Sequence, residues 1–271
     1  MELETLLNHA PSPIEELTIP VARRKGVRLF IKRDDLLVLP AYGGDEAFSG
    51  NKWRKLKYNL LAARTGGQNR LLTFGGAYSN HLAATASAGK LFGFETVGIV
   101  RGEEIGDDNP TLSHCRRCDM QLEFVSRADY RLKTNPYTIQ KLRKRFGAFF
   151  LLPEGGTNTL ALRSCSEWAD EIAAQWPAET MPDYICLSCG TGGSMAGLVR
   201  GLRGRSIALG FPALKGSFLR GEIEHMLRGK PAYGRAWEFE EAYHFGGYAR
   251  FDERLIDFIN AFYGEHGIAL D

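Results

Sequence analysis

Short apolar runs alternate with amphipathic or alanine-rich stretches along most of the chain. An apolar run beginning at Leu71 is followed by a glycine turn, a small-residue stretch and a second apolar run that ends near residue 101. This order predicts a strand, a helix and a second strand, which form a βαβ unit. The pattern returns where an apolar strand, Tyr184 to Leu187, meets a glycine-rich loop and then a helix beginning near Ser194. Such units indicate an α/β fold with two open, twisted, mostly parallel sheets flanked by helices.

Further elements lie between and after these units. The stretches at residues 119–127 and 147–156 are apolar enough for strands, and a basic amphipathic helix is predicted between them at Tyr137 to Phe146. Near the C-terminus, the spacing of apolar residues predicts an amphipathic helix that docks on the core. Its apolar face comprises Leu255, Ile256, Phe258, Ile259 and Phe262.

The composition is that of an ordinary folded protein. Hydrophobic residues make up 44% and charged residues 24% of the 271 residues, a length that suits two lobes. The 34 basic and 32 acidic residues are spread along the chain without a concentrated basic face, so we expect no nucleic-acid partner. The N-terminal segment lacks the pattern of a secretory signal, and no apolar stretch approaches ~18 residues. These features predict a cytoplasmic protein with no membrane partner.

The five cysteines predict reduced thiols, because their number is odd and no signal peptide precedes them. Two C-x-x-C pairs, Cys115/Cys118 and Cys186/Cys189, could together supply four zinc ligands. The first pair falls in a helical pattern and the second in a strand, and neither has the tight turn that directs both sulfurs at one metal. We therefore expect no metal site.

A lysine-rich segment from Ser49 to Tyr58 follows a glycine turn and has a helical pattern. Lys52 would lie at the start of that helix. The positive end of the helix dipole and partial burial both disfavour a charged amine there, which suits Schiff-base chemistry. A solvated basic helix face is the alternative interpretation.

A second polar motif, residues 75–81, follows the first predicted strand of the βαβ unit. It places the Ser79 hydroxyl, the Asn80 amide and the His81 ring at the carboxyl edge of the sheet, where ligands of open α/β sheets bind. The alternative is helix N-capping by Ser79 or Asn80.

Two glycine-rich loops could surround a ligand. In the first, converging backbone N–H groups and the following helix dipole predict a phosphate cradle; its residues are Gly190, Thr191, Gly192, Gly193 and Ser194. A nucleotide-binding role is the alternative, although neither the P-loop nor the dinucleotide fingerprint is present. The second loop, Pro153 to Asn158, is either a capped turn or a point of close ligand approach, and no chemistry is assigned to Glu154.

Taken in order, the segments IKRDD, SGNKWRKLKY, FGGAYSNH, PEGGTN and SCGTGGSMAGL resemble the 1-aminocyclopropane-1-carboxylate deaminase / D-cysteine desulfhydrase family. These are tryptophan-synthase-β-like, fold-type-II enzymes that depend on pyridoxal 5′-phosphate (PLP). The resemblance runs from about Leu17 to the last residue, and G-N-K-x-R-K-L is its most specific part. It implies that Lys52 binds PLP as a Schiff base and later moves the substrate proton.

The resemblance also implies roles for the other motifs. Lys55 and the loop Gly190 to Ser194 would hold the cofactor phosphate, and Asn80 would bond the ring hydroxyl oxygen. Ser79, with a catalytic role, and His81 would join Asn80 in facing the substrate. The cofactor supplies the electron sink and the protein supplies orientation.

The family architecture implies a homodimer and two domains per chain. A larger, discontinuous PLP-binding domain would comprise residues 1–52 plus 160–271, and a smaller inserted α/β domain residues 53–159. Strands at Leu29 to Lys32 and Tyr184 to Leu187 would share a sheet.

The expected activity is that of a PLP-dependent lyase or deaminase, which converts a small amino acid to a 2-keto acid and ammonia by β-elimination or deamination. Family deaminases typically carry Ser-Asn-Gln where this chain has Ser79-Asn80-His81, which favours a desulfhydrase-like member. Family chains usually continue beyond the point matching Asp271, with P-x-Y and T-G-G segments that the 271 residues lack. The alternative is therefore a PLP-binding or vestigial homologue without efficient turnover.

Overall fold

The computed structural model describes residues 3, 10–37, 48–104, 109–228, 236–247 and 250–270. Within these ranges the strands are β1 Ile14–Leu17, β2 Leu29–Lys32, β3 Arg70–Gly76, β4 Glu95–Arg101, β5 Gln121–Val125, β6 Phe150–Leu151, β7 Tyr184–Cys189, β8 Ile207–Pro212 and β9 Trp237–Phe239. The helices are α1 Pro20–Arg24, α2 Gly50–Thr65, α3 Asn80–Phe92, α4 Pro110–Arg117, α5 Arg127–Arg131, α6 Pro136–Phe146, α7 Thr159–Gln175, α8 Gly193–Leu202, α9 Phe218–Leu227 and α10 Glu253–His266. Two short 3₁₀ turns cover Asp34–Leu36 and Glu154–Gly156.

A four-stranded parallel sheet with the order β5-β4-β3-β6 forms one layer of the structure. The inner strand β3 is buried on both faces from Leu71 to Gly75, as expected of a parallel strand covered by helices on both sides. Helix α3 returns from β3 to β4 and ends at Gly93, whose φ of 69° is the left-handed conformation that favours glycine at a helix end. The predicted βαβ unit is confirmed.

A second parallel sheet has three strands in the order β7-β8-β9. Helix α8 follows β7 and packs against α7 at small residues. A Cβ atom added at Gly201 would lie 2.1 Å from the backbone oxygen of Ser166, and one at Gly197 would lie 2.3 Å from Cβ of Cys165. The two helix backbones therefore approach closely, and the position of α7 determines the position of α8.

Helix α2 lies between the cores of the two sheets. Trp53, Leu56 and Leu60 are fully buried in a cluster with Leu71 of β3. The opposite, polar face of α2 packs along α7, the helix that also supports α8. The start of α2 is thus held relative to both sheets.

The prediction that Leu29–Lys32 shares a sheet with the Tyr184 strand is wrong. Strand β2 pairs in antiparallel register with β1, matching Leu17 to Leu29 and Ile14 to Lys32, and the two form a separate two-stranded sheet. A partner so near in sequence closes only a short loop, which lowers the entropic cost of pairing.

The C-terminal helix also differs from its prediction. Helix α10 forms where expected, but none of its residues is buried, and 56% of Phe258 is exposed. Phe258 stacks on Phe262 at 5.9 Å, and Phe262 on His266 at 4.6 Å. Among the described residues, the predicted apolar face of α10 is therefore at most half-buried and belongs to none of the buried core clusters.

No helix in the described ranges combines the length and the apolar character that crossing a membrane would require.

Candidate active site

The start of α2 brings Lys52 next to the start of α8. The chain enters α2 through Gly50, whose φ of 58° is left-handed. Nζ of Lys52 donates to Oδ1 of Asn51 at 2.8 Å, and Nδ2 of Asn51 donates to Oγ of Ser194 at 3.2 Å. One amide side chain therefore links the predicted cofactor lysine to the predicted phosphate loop.

Lys55 lies one helical turn after Lys52 and on the same face of α2. Its Nζ donates to the backbone oxygen of Gly155 at 2.8 Å, to Oγ1 of Thr157 at 3.0 Å and to Oγ1 of Thr191 at 3.2 Å. Burial, and next the charge of Lys52, lower the pKa of Lys55 to about 8. A buried amine among neutral oxygens is suited to receive an anion, because an added negative charge would stabilise its charged form.

The loop before α8 packs against the loop before α7. Thr157 and Thr191 share a hydrogen bond of 2.7 Å between their hydroxyls. A Cβ atom at Gly193 would lie 2.6 Å from Oγ1 of Thr157, and one at Gly155 would lie 2.7 Å from Cγ2 of Thr191. Only glycine allows the two loops to approach this closely.

Helix α8 starts without a capping side chain. Gly192 is its N-cap, in a left-handed conformation, and makes no side-chain cap hydrogen bond. The first backbone N–H groups of a helix have no partner within the helix, and they favour anions. With Nζ of Lys55 at the adjacent Thr191, they form a cradle of the right chemistry for a phosphate group.

Ser79 and Asn80 lie at the carboxyl end of β3, as predicted. The Ser79 hydroxyl caps α3 by accepting from the backbone N–H of Leu82 at 3.3 Å, so the capping interpretation is correct for this residue. Asn80 is the first residue of α3 and its side chain is exposed. A serine hydroxyl that accepts one hydrogen bond still has a proton to donate, so capping leaves Ser79 able to bind a ligand.

His81 is buried, with 2% of its surface exposed. The Thr73 hydroxyl lies 3.0 Å from the backbone oxygen of Leu152 and 2.8 Å from Nε2 of His81. Since the carbonyl can only accept, the hydroxyl proton goes to Leu152, and Nε2 of His81 is the protonated nitrogen. Nδ1 makes no hydrogen bond of good geometry in the described structure, although the nearby Pro153 backbone acts to raise the pKa of the ring.

The surroundings keep the His81 ring neutral. Burial first, and then the charges of Lys52 and Lys55, lower its pKa well below the usual value. A Cβ atom at Gly156 would lie 2.9 Å from Cε1 of the ring. The ring therefore lies directly beneath the backbone of the glycine loop, and its role towards a substrate stays a prediction.

A buried ionic cluster behind Lys52 was not anticipated from the sequence. The guanidinium group of Arg54 donates to both carboxylate oxygens of Asp34, each at 2.8 Å, and to those of Glu171 at 2.8 and 3.0 Å. Lys32 adds a salt bridge to Glu171 at 2.6 Å. The sequence draws attention to Arg54, which lies in the motif G-N-K-x-R-K-L. Its two carboxylate partners could not be predicted, because they lie 20 and 117 residues away along the chain.

The cysteines do not form a metal cluster in the described residues, where no group of three or more candidate ligands is found. Cys115 lies in α4 and Cys189 in β7, which belong to different parts of the fold. Burial raises the pKa of each of these thiols to about 12. All five cysteines are free thiols.

Comparison with known proteins identifies the family. The sequence profile of the family described as "Pyridoxal-phosphate dependent enzyme" matches residues 6–271. The chain belongs to this family. The chain is similar to a protein named putative 1-aminocyclopropane-1-carboxylate deaminase from Thermotoga maritima, with 27% identity over 98% of this chain and 86% of that protein.

Other relatives are matched over part of their length. A bifunctional D-cysteine desulfhydrase/1-aminocyclopropane-1-carboxylate deaminase from Arabidopsis thaliana is 32% identical over 72% of this chain and 50% of that protein. A D-cysteine desulfhydrase from Klebsiella pneumoniae is 30% identical over 71% of this chain and 58% of that protein. The chain thus spans about half the length of these two relatives.

Solved structures confirm the fold of the PLP-dependent family. The crystal structure of an ACC deaminase homologue superposes on 99% of this chain and 85% of that chain, with a TM-score of 0.78 and 24% sequence identity. The predicted fold class is therefore confirmed.

The residues of the site fit the family's cofactor. Lys52 supplies an amine beside the start of α8, and the uncapped helix start and buried Lys55 suit a phosphate group. Nδ1 of His81 is a further polar atom, and burial without a hydrogen bond of good geometry is costly for it unless a ligand or water fills that role.

Proposed function

We propose that the protein catalyses PLP-dependent β-elimination or deamination of a small amino acid, with release of a 2-keto acid and ammonia. The observation that carries this proposal is the placement of Lys52 and Lys55 on one face of α2, against the loop that opens α8. This arrangement puts an amine and an anion-binding cradle side by side. The activities named for the Arabidopsis and Klebsiella relatives support the same reaction class.

The cofactor would be held by residues from three parts of the chain. Lys52 would bind it covalently, and Lys55 with residues 190–194 would hold the phosphate. Asn80, exposed at the start of α3, would donate to the ring hydroxyl oxygen. When bound, PLP supplies an electron sink for the bonds at the α-carbon of the substrate.

The side chains around the cofactor would then orient the substrate and move one proton. Nζ of Lys52 would take the α-proton, and the Asn51 amide that accepts from it would hold this amine in place. The Ser79 hydroxyl would donate to the substrate carboxylate or to the leaving group. His81, fixed by Thr73, would offer the Nδ1 lone pair from beneath Gly156.

D-cysteine is the preferred substrate in this proposal, with pyruvate, sulfide and ammonia as products. The histidine at position 81 supports it, because family deaminases typically carry glutamine there. The proposal includes a homodimer in the cytoplasm and the two-domain division at residues 1–52 plus 160–271 and 53–159. The strands of one parallel sheet lie within residues 70–151 and those of the other within residues 184–239, so each sheet falls inside one of the two proposed domains.

Substrate profiling tests the reaction. Purified protein reconstituted with PLP should release pyruvate and sulfide from D-cysteine faster than from L-cysteine, and faster than it releases 2-oxobutanoate from 1-aminocyclopropane-1-carboxylate. Dominant 2-oxobutanoate formation would reassign the substrate. Cofactor uptake without any product would identify a PLP-binding homologue without turnover, and failure to take up PLP would refute the proposal.

The pKa of Lys55 gives a prediction for phosphate binding. Because this pKa is about 8 in the cofactor-free protein, the charged fraction of Lys55 falls between pH 7 and 9, and affinity for a phosphate group should fall with it by about tenfold. The quantity to measure is the dissociation constant of pyridoxal divided by that of PLP, at several pH values between 7 and 9. Titration of Lys52 changes the affinity for both ligands in the same way, so it leaves the ratio unchanged.

Two variants complete this measurement. Lys55→Met should make the ratio small and independent of pH. Lys57→Met, which removes a lysine bonded to Glu167 at 2.8 Å on another face of α2, should keep the pH dependence. A ratio that does not change with pH in the unmodified protein would contradict phosphate binding by Lys55.

A further inference from the structure

The buried ionic cluster joins three segments of the chain at one guanidinium group. Arg54 comes from α2, Asp34 from the 3₁₀ turn after β2, and Glu171 from the C-terminal part of α7. Only 3% of the surface of Arg54 is exposed, and its guanidinium group donates four hydrogen bonds to the two carboxylates. A guanidinium held bidentately by two carboxylates is fixed in position and orientation.

The cluster cannot act on Lys52 mainly through its charge. Lys32 and Arg54 are balanced by Asp34 and Glu171, so the four charges sum to zero. Arg54 also lies two residues after Lys52, and at about 100° of rotation per residue its side chain leaves the opposite side of the helix. An effect of the cluster on Lys52 would therefore be geometric.

The same helices are linked at two further points. Nζ of Lys57 bonds Glu167 at 2.8 Å, and the side chains of Asn59 and Asn158 are hydrogen-bonded to each other. The residue numbers of these contacts and of the Arg54–Glu171 pair increase along α2 and decrease towards the start of α7. The contacts therefore follow one another along two helices that run in opposite directions. A slip of α2 by one residue would shift it by about 1.5 Å along its axis and break the paired contacts.

Helix α7 is also the helix that α8 approaches closely, because Gly197 and Gly201 carry no side chain at the contact. It therefore sets the positions of both α2, which carries Lys52, and α8, which begins at the phosphate cradle. We propose that Arg54 and Glu171 are positioning residues that fix the axial position of α2, and thereby the placement of Lys52 relative to the loop at residues 190–194. This inference rests on the proposed function for its catalytic consequence.

The test compares Arg54→Met with Lys57→Met, a variant that breaks a neighbouring contact between the same two helices. Two quantities are measured at a temperature where both variants are folded: hydrogen exchange over residues 49–56 in the cofactor-free protein, and PLP affinity by titration. Arg54→Met should exchange at least about tenfold faster over this segment, and bind PLP at least about tenfold more weakly, than Lys57→Met. Glu171→Gln, a milder change, should shift both quantities in the same direction if Arg54→Met does not fold.

Arg54→Lys separates geometry from charge, because lysine keeps the charge but cannot make the bidentate contacts. It should bind PLP as weakly as Arg54→Met; full recovery of affinity would overturn the positioning role. Equal exchange over residues 49–56 in Arg54→Met, Glu171→Gln and Lys57→Met would also overturn it. The exchange measurement needs no cofactor, so it decides this inference even if the unmodified protein fails to bind PLP, a failure that would refute the proposed function instead.

Discussion

Replacement of Lys52 by alanine should abolish product formation, with a loss of at least about 10³-fold, because the same amine is proposed to bind the cofactor and to move the substrate proton. Borohydride treatment of the reconstituted protein should fix the cofactor to the peptide that contains Lys52. Mass spectrometry of the digested protein and an assay of pyruvate release measure the two effects.

Lys141→Ala is the matched control, since Lys141 is exposed on α6, a helix that contributes no residue to the candidate site. It should leave both the labelling and the rate unchanged. Label on any lysine other than Lys52, or turnover by Lys52→Ala close to that of the unmodified protein, would show that the cofactor lysine has been assigned incorrectly.

Acid should destabilise the protein through Glu171. Burial raises the pKa of this carboxyl group, but hydrogen bonds and charge from Arg54 and Lys32 outweigh it and lower the pKa from 4.5 to about 2. Because the folded-state pKa lies below the unfolded one, the stabilisation is complete above pH 4.5 and is lost as the pH falls towards 2. The shift corresponds to about 3 kcal/mol, of which about 2 kcal/mol should be lost by pH 3.

Urea unfolding at a series of pH values measures this effect as a difference between variants. Glu171→Gln should be least stable relative to the unmodified protein above pH 5, and the difference should shrink towards pH 3. Asp170→Asn removes the neighbouring carboxylate, which forms an exposed salt bridge with Arg205 at 2.9 Å, and its difference should be small at every pH. A Glu171→Gln difference that does not change with pH would show that the cluster does not lower this pKa.

The elements of the fold were largely readable from the sequence because their patterns are local. The apolar run of β3 and the small-residue stretch after it each indicate an element within a few residues, and the strand β3 and the helix α3 both lie where predicted. Errors arose where a pattern needed a distant partner. The apolar spacing of α10 predicts a helix correctly, but it does not say what its apolar face contacts.

In the candidate site, too, features that depend on local sequence were predictable and contacts between distant residues were not. Lys52, Ser79 and the loop at residues 190–194 could be proposed as site residues because each follows a local pattern, a helix start or a strand-to-helix turn. The contacts of Thr157 with Lys55 and of Glu171 with Arg54 were not predicted, since nothing near these residues in the sequence indicates them. The burial of His81 could not be predicted from the sequence either, because it depends on the backbone of Gly156 lying over the ring.

The three oxygens that surround Lys55 come from residues 100, 102 and 136 positions further along the chain. Contacts of such long sequence separation close large loops, which makes them slow to form. During folding, α2 and the βαβ unit can form from neighbouring residues, whereas the cradle exists only after α7 and the β7–α8 segment have docked. The nascent chain therefore acquires its anion-binding centre late, after most of its secondary structure is in place.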